Sequence, residues 1–322
     1  MKESMKNYLW IGLPGYKDLK PEDLEKLKSE KIAGVILFKR NFENKNQIKN
    51  LCLEIKKINK NLLIGVDQEG GPVQRLLGDG FSKLLSSTEI GEVYNKDKNS
   101  GLNLARERGL TMARELLEVG IDLSFAPVVD LGNKESQVLK NRTYSENINT
   151  VIDLAKAEIQ AMNSLGLMAV IKHFPGHGGV SLDTHLERAV DFRSLEEIEN
   201  KDLKVFQDCM NPPLCPSISS SGLSLPQGER RNQVSHLNIM ASWVIYPEID
   251  SYPACFSEIL LQKILREKLK FPGKIFSDDM GMEAAKYFKT PEECIARALK
   301  AGCDYVLLCN NFEVINKVLA GN

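Results

Sequence analysis

No apolar run in this chain of 322 residues reaches the roughly 18 residues a membrane span needs, so no membrane partner is expected. The N-terminal residues, Met1 to Trp10, include lysines but lack the apolar centre of a signal peptide, which predicts residence in the cytoplasm. No long basic stripe appears and the formal net charge is −1, so nucleic acid is not an expected partner. The many lysines of the first hundred residues are mixed with Glu and Asp, as on solvated helical faces. There is no CxxC and no zinc-ribbon spacing. The seven cysteines, at Cys52, Cys209, Cys215, Cys255, Cys294, Cys303 and Cys309, are scattered. An odd number without motif spacing predicts reduced thiols. Histidine is scarce, at four residues, and three of these fall between His173 and His185.

What is present is ordinary in bulk and informative in order. Hydrophobic residues make up 43% and charged residues 26%, as in a globular protein. Short β-rich runs alternate with helical patterns. The expected strands are Tyr8–Leu13, Gly34–Phe38, Leu62–Asp67, Leu123–Val129, Met168–His173, Ile239–Val244, Lys274–Asp278 and Tyr305–Cys309. The expected helices are Pro21–Ser29, Lys45–Ile58, Gly101–Glu118, Val151–Leu165, Leu195–Cys209, Ser257–Leu269 and Pro291–Ala301, with a last piece after Asn311. Strand followed by helix, repeated through the chain, predicts an α/β fold, a single-domain (β/α)8 TIM barrel over residues 1–322. A doubly wound sheet is the rival; it rarely needs so many units, and no GxGxxG opens the chain. One segment breaks the rhythm. Residues 211–236 are rich in Ser, Pro and Gly and lack periodicity. They are expected to be a loop insertion between a helix and a strand, hence on the face away from a barrel's catalytic mouth.

In a barrel, chemistry gathers at the C-terminal ends of the strands. There the sequence puts Asp67, Glu69 and Arg75, then Asp130 with Arg142 beyond it, Lys172-His173, Asp278-Asp279, and Asn310-Asn311. Any one Asp at a strand end is more often a helix cap or turn residue, and His177 between glycines is ordinary loop material. The gathering at one rim is what points to a site, because solubility alone places charge anywhere. Asp183 and His185 are separated by one residue. In an extended segment they project to the same side, and a carboxylate beside an imidazole makes a usable general acid/base. Asp278 is a plausible carboxylate nucleophile, and strand alternation would send only one of Asp278 and Asp279 into the mouth. A lysine, two arginines and an aspartate read as a pocket for hydroxyl groups and an anionic substrate portion.

These residues together resemble glycoside hydrolase family 3, and within it the single-domain β-N-acetylglucosaminidases, or β-hexosaminidases, of the cell-wall recycling type. The likeness rests on GVILFKRNF (34–42), IGVDQEGGPVQRL (64–76), LSFAPVVDL (123–131), NRTYSEN (141–147), KHFPGHG with a following DTH (172–185), FSDDMGMEA (276–284) and AGCDYVLLC (301–309). The resemblance implies a retaining mechanism with Asp278 as nucleophile and His185 as acid/base, tuned by Asp183. It implies sugar contacts from Asp67, Arg75, Arg142, Lys172 and His173. The implied substrate is a small carbohydrate, an N-acetylglucosamine-containing muropeptide; no cofactor and no metal are expected, and the protein is expected to be a monomer. The alternatives are a β-glucosidase or an N-acetylglucosaminide phosphorylase of the same family. A metal-dependent TIM-barrel hydrolase drawing on His173, His177, Asp183 and His185 is a further one. Trp243 stands where the family usually has a histidine, which puts one polar contact in question.

Overall fold

The computed structural model describes residues 6–15, 17–133, 135–136, 138–180, 189–210, 237–281, 288 and 290–320. The expected insertion at 211–236 and the Asp183–His185 pair lie outside the described residues. Eight parallel strands close a barrel: β1 Leu9–Gly12, β2 Ile32–Leu37, β3 Leu63–Val66, β4 Leu123–Ser124, β5 Met168–Phe174, β6 Leu237–Ala241, β7 Ile275–Asp279 and β8 Tyr305–Leu308. Each strand pairs with its neighbours in sequence. The ring closes where Leu9, Trp10 and Ile11 meet Val306, Leu307 and Leu308. This is the (β/α)8 barrel the alternation predicted.

Period-2 patterning builds two cores. Leu9 and Ile11 of β1, Val35 of β2, Ile64 of β3 and Ile171 of β5 face the surrounding helices. Trp10, Ile36, Val170, Met240, Phe276 and Leu307 fill the barrel itself. Trp10 is fully buried and meets Phe125 and Phe276 edge-on at 5.8 and 5.3 Å. So large a ring inside a barrel requires small neighbours. A Cβ on Gly34 would lie 2.6 Å from the Trp10 ring, and one on Gly65 would lie 3.0 Å from it.

The structure corrects several expected elements. β4 is shorter than expected: beyond Ser124 the Phe125 amide still donates to Val66 and the Ala126 carbonyl accepts from Val170, but Pro127 has no amide hydrogen to extend a ladder, and the chain rejoins β5 at the Val128–Lys172 bridge. A hairpin, Gln68–Gly70 with Val73–Gln74, follows β3. The helix Ser87–Lys96 was not anticipated, although Ser86 and Glu89 form the reciprocal capping pair that marks a helix start. The expected helix Leu195–Cys209 runs as Leu195–Ile198, a wider π-wound turn Glu199–Leu203, and Lys204–Met210. No described helix is long and apolar enough to cross a membrane.

The tight fit around Trp10 yields a prediction. Gly34→Ala should destabilise the fold by about 1–3 kcal/mol, read as a lowered midpoint of urea unfolding. An unchanged midpoint would mean that the barrel core has slack.

Candidate active site

The C-terminal ends of the strands surround a cavity of about 290 Å³. Asp67 follows β3, Lys172 and His173 close β5, Asp278 and Asp279 close β7, and Cys309 and Asn310 follow β8; all line it, together with Glu69, Arg75, Arg142 and His177. Six of the eight expected site residues therefore meet in one place. The other two, Asp183 and His185, belong to a segment outside the described residues. A larger groove of about 630 Å³ runs along Thr88, Leu139 and Asn147, but none of these strand-end groups reaches it.

Charge organises the wall. Lys172 Nζ sits 2.8 Å from Asp67 Oδ1 and 2.7 Å from Glu69 Oε1. Arg142 grips Glu69 with both arms of its fork, Nε to Oε2 and Nη2 to Oε1, each at 2.8 Å. Arg75 completes the array 3.5 Å from Asp67. Burial pushes the Glu69 carboxyl up, but Arg142 and Lys172 more than offset it and hold it far below its ordinary range. Burial likewise opposes ionisation of Asp67, and Lys172 and Arg75 prevail. Burial works against the Lys172 ammonium too, yet Asp67 and Glu69 leave its pKa raised. Two consequences follow. Glu69 holds no proton at neutral pH and has none to donate as a general acid. Lys172 and Arg142 are also paired within the wall, which leaves it rich in hydrogen-bonding groups that suit hydroxyls and amides.

His173 and His177 are treated differently. Asp130 is wholly buried and its carboxylate is a hub. It meets His173 Nδ1 at 2.7 Å and accepts the backbone amides of His173 and His177 at 3.1 and 2.7 Å. Burial pushes the Asp130 carboxyl up, but His173 more than offsets this and leaves it depressed. The His177 ring has no hydrogen-bond partner at either nitrogen among the described residues, and burial pushes its pKa down, so it stands as a neutral imidazole. Asp130 and Glu69 were legible only as polar residues near strand ends; the side chains they hold come from other βα units. Among the described residues, no group of three or more His, Cys, Asp or Glu side chains could hold a metal ion.

Simple strand alternation does not separate Asp278 from Asp279, because both line the cavity. The ladder between β7 and β8 slips between Phe276 and Asp279, and the β5–β6 ladder slips in the same way between Lys172 and Phe174. These irregularities let consecutive residues face one space. Their surroundings still separate the two carboxylates. Asp279 Oδ1 accepts the amides of Cys309 at 2.9 Å and Gly281 at 3.0 Å. Burial nevertheless raises the Asp279 pKa. The Asp278 carboxylate accepts the Asp279 amide at 2.8 Å and is otherwise turned to the cavity. Trp243, the residue in question at the sixth strand, is buried against Phe256 at 4.9 Å between ring centres. It donates from Nε1 to the Asp279 carbonyl, bracing β7 instead of lining the cavity.

Known proteins place this arrangement. The model of the glycosyl hydrolase family 3 N-terminal domain matches residues 9–226 and 232–321. A β-hexosaminidase of Hydrogenovibrio crunogenus is 41% identical over 303 residues, covering 94% of this chain and 78% of that one. A β-hexosaminidase of Haemophilus influenzae is 42% identical over 312 residues, covering 97% and 82%. The crystal structure of native NagZ from Neisseria gonorrhoeae superposes with a TM-score of 0.84 at 34% identity, covering 98% of this chain and 84% of that one. The same enzyme in complex with N-trifluoroacetyl-D-glucosamine also gives 0.84, at 35% identity. A barrel whose charged groups converge at the strand ends, matched by one family model along nearly its whole length, is thereby accounted for: this chain belongs to glycosyl hydrolase family 3 and is a glycoside hydrolase.

Proposed function

We propose that the protein is a retaining β-N-acetylhexosaminidase that removes non-reducing terminal N-acetylglucosamine from muropeptides or related β-glycosides, acting as a cytoplasmic monomer. The observation that carries this reading is the cavity itself. It lies at the small end of the range for ligand pockets, which suits one terminal sugar. Its wall pairs Lys172 with Asp67 and Glu69, and the Asp278 carboxylate faces it. The relatives named β-hexosaminidase and the neighbour that holds an N-acylated glucosamine support the sugar's identity. The described cysteines are free, which is consistent with a reducing compartment.

In this mechanism Asp67, Arg75, Arg142, Lys172 and His173 hold the sugar hydroxyls. The Asp278 carboxylate attacks the anomeric carbon as the glycosidic bond breaks, and His185 gives a proton to the departing oxygen. Water then attacks the glycosyl–Asp278 ester, returns its proton to His185 and frees the carboxylate, so that two inversions give retention. Asp183 orients the imidazole and offsets its charge when protonated. Glu69, locked to Lys172 and Arg142, leaves the proton transfer to another group, which favours the His185 assignment over an acid from the wall.

Paired aryl β-glycosides, N-acetylglucosaminide against glucoside, with and without phosphate, separate the hexosaminidase from a glucosidase and a phosphorylase. Asp278→Asn should cost at least roughly 10³-fold in kcat, and a fluorinated N-acetylglucosaminyl donor should label Asp278 in peptide mass analysis; label on Asp279 sinks the assignment. His185→Ala should harm substrates with poor leaving groups far more than activated aryl glycosides, because only the former need a proton. A loss independent of leaving-group pKa would remove His185 from the acid/base role.

A further inference from the structure

Behind the cavity wall lies a second buried charge cluster that touches none of the cavity. Arg108, on the helix Lys98–Glu118, and Glu158, on the helix Ile148–Ser164, are 4% and 0% exposed. Arg108 Nε donates to Glu158 Oε2 at 3.1 Å, and its Nη2 pairs with the same oxygen. Nη2 also donates to the Tyr144 hydroxyl at 2.8 Å, and that hydroxyl donates to Glu158. Nη1 donates to the Leu85 carbonyl at 2.9 Å.

Two arms run from this cluster to the wall. Along the first, the Leu85 carbonyl that Arg108 holds lies against Gly70, where a Cβ would come within 2.4 Å of it, and the Gly71 amide donates to Leu84 at 3.1 Å. Gly70 directly follows Glu69. Along the second, Tyr144 lies two residues beyond Arg142. Its carbonyl is so close to Gly91 that a Cβ there would approach to 1.8 Å, and Thr88 Oγ1 donates to the Thr143 carbonyl at 2.9 Å. The arms end on the two partners of the bidentate Glu69–Arg142 pair, whose fork geometry tolerates little displacement.

We propose that Arg108, Glu158 and Tyr144 are positioning residues for sugar binding, setting the register of Glu69 and Arg142 without contacting substrate. The inference rests on the reading above that Arg142 contacts the sugar. Stability alone is a weak reason to keep such a cluster, since a buried ion pair can often be replaced by well-packed apolar residues without loss. Here both arms end on the Glu69–Arg142 pair, which suits a geometric role.

The test uses Tyr144→Phe, which removes one hydroxyl and keeps the ring. For an aryl N-acetyl-β-glucosaminide KM should rise roughly tenfold, and inhibition by free N-acetylglucosamine should weaken by the same factor. The change in kcat should stay within roughly threefold. In an Arg142→Lys background the substitution should add little. Tyr94→Phe, which loses a comparable hydroxyl bond to Asp153 away from the wall, serves as control and should leave KM unchanged. A lowered Tm with KM and inhibition unchanged would overturn the proposal, as would a KM effect that persists in full without Arg142. A wild-type protein inactive on N-acetylglucosaminides would overturn the functional reading instead. The thermal double-mutant cycle between Tyr144→Phe and Glu69→Gln then decides this one: coupled Tm shifts uphold the link, and additive shifts refute it.

Discussion

The Glu69 carboxylate, buried and shared between the Lys172 ammonium and the Arg142 guanidinium, is the constraint on which the site depends. Each of these charges alone would be costly so deep in the protein. Together with Asp67 they are mutually paired, with Arg75 3.5 Å from Asp67 at the margin, and the wall they form is polar. Such a wall can present hydrogen-bonding groups to the cavity. The three central members come from three separate places, Glu69 after β3, Arg142 after β4 and Lys172 at the end of β5. Lateral pairing of β3, β4 and β5 in the barrel is what brings each cation within 3 Å of Glu69.

Irregular strand ladders explain how consecutive residues act together. In a regular strand Lys172 and His173, or Asp278 and Asp279, would face opposite sides. The ladders slip at both places, and both pairs line the cavity. The two carboxylates at the end of β7 then divide their tasks by environment. Asp279 is taken up by the amides of Cys309 and Gly281 and ties β7 to the chain beyond β8. Asp278 keeps its carboxylate toward the cavity. His173 and His177 divide in a similar way, one held by Asp130 and the other neutral and unpartnered among the described residues.

The fold was legible because it rests on local, repeating signals: apolar runs of strand length, helical periodicity between them, and polar residues where the strands end. The misplaced elements have local reasons. Pro127 shortens β4, and the helix Ser87–Lys96 was betrayed only by its Ser86–Glu89 capping pair. Asp67, Arg75, Arg142, Lys172, His173 and Asp278 could be gathered from the sequence because strand ends in a barrel share one rim. The family resemblance narrowed that gathering to a sugar site.

What the sequence by itself determined was therefore the barrel, its rim and the residue types that stand there, since each depends on spacing along one segment. What only the tertiary structure decided was the pairing: that Glu69 is a locked counter-ion and carries no proton to give, that Asp130 holds His173, that Trp243 braces β7 outside the cavity, and that Asp278 and Asp279 line the same space. Charge pairing and ladder register depend on distances between segments far apart in the chain. Nothing in the local pattern of either segment encodes those distances before the barrel closes.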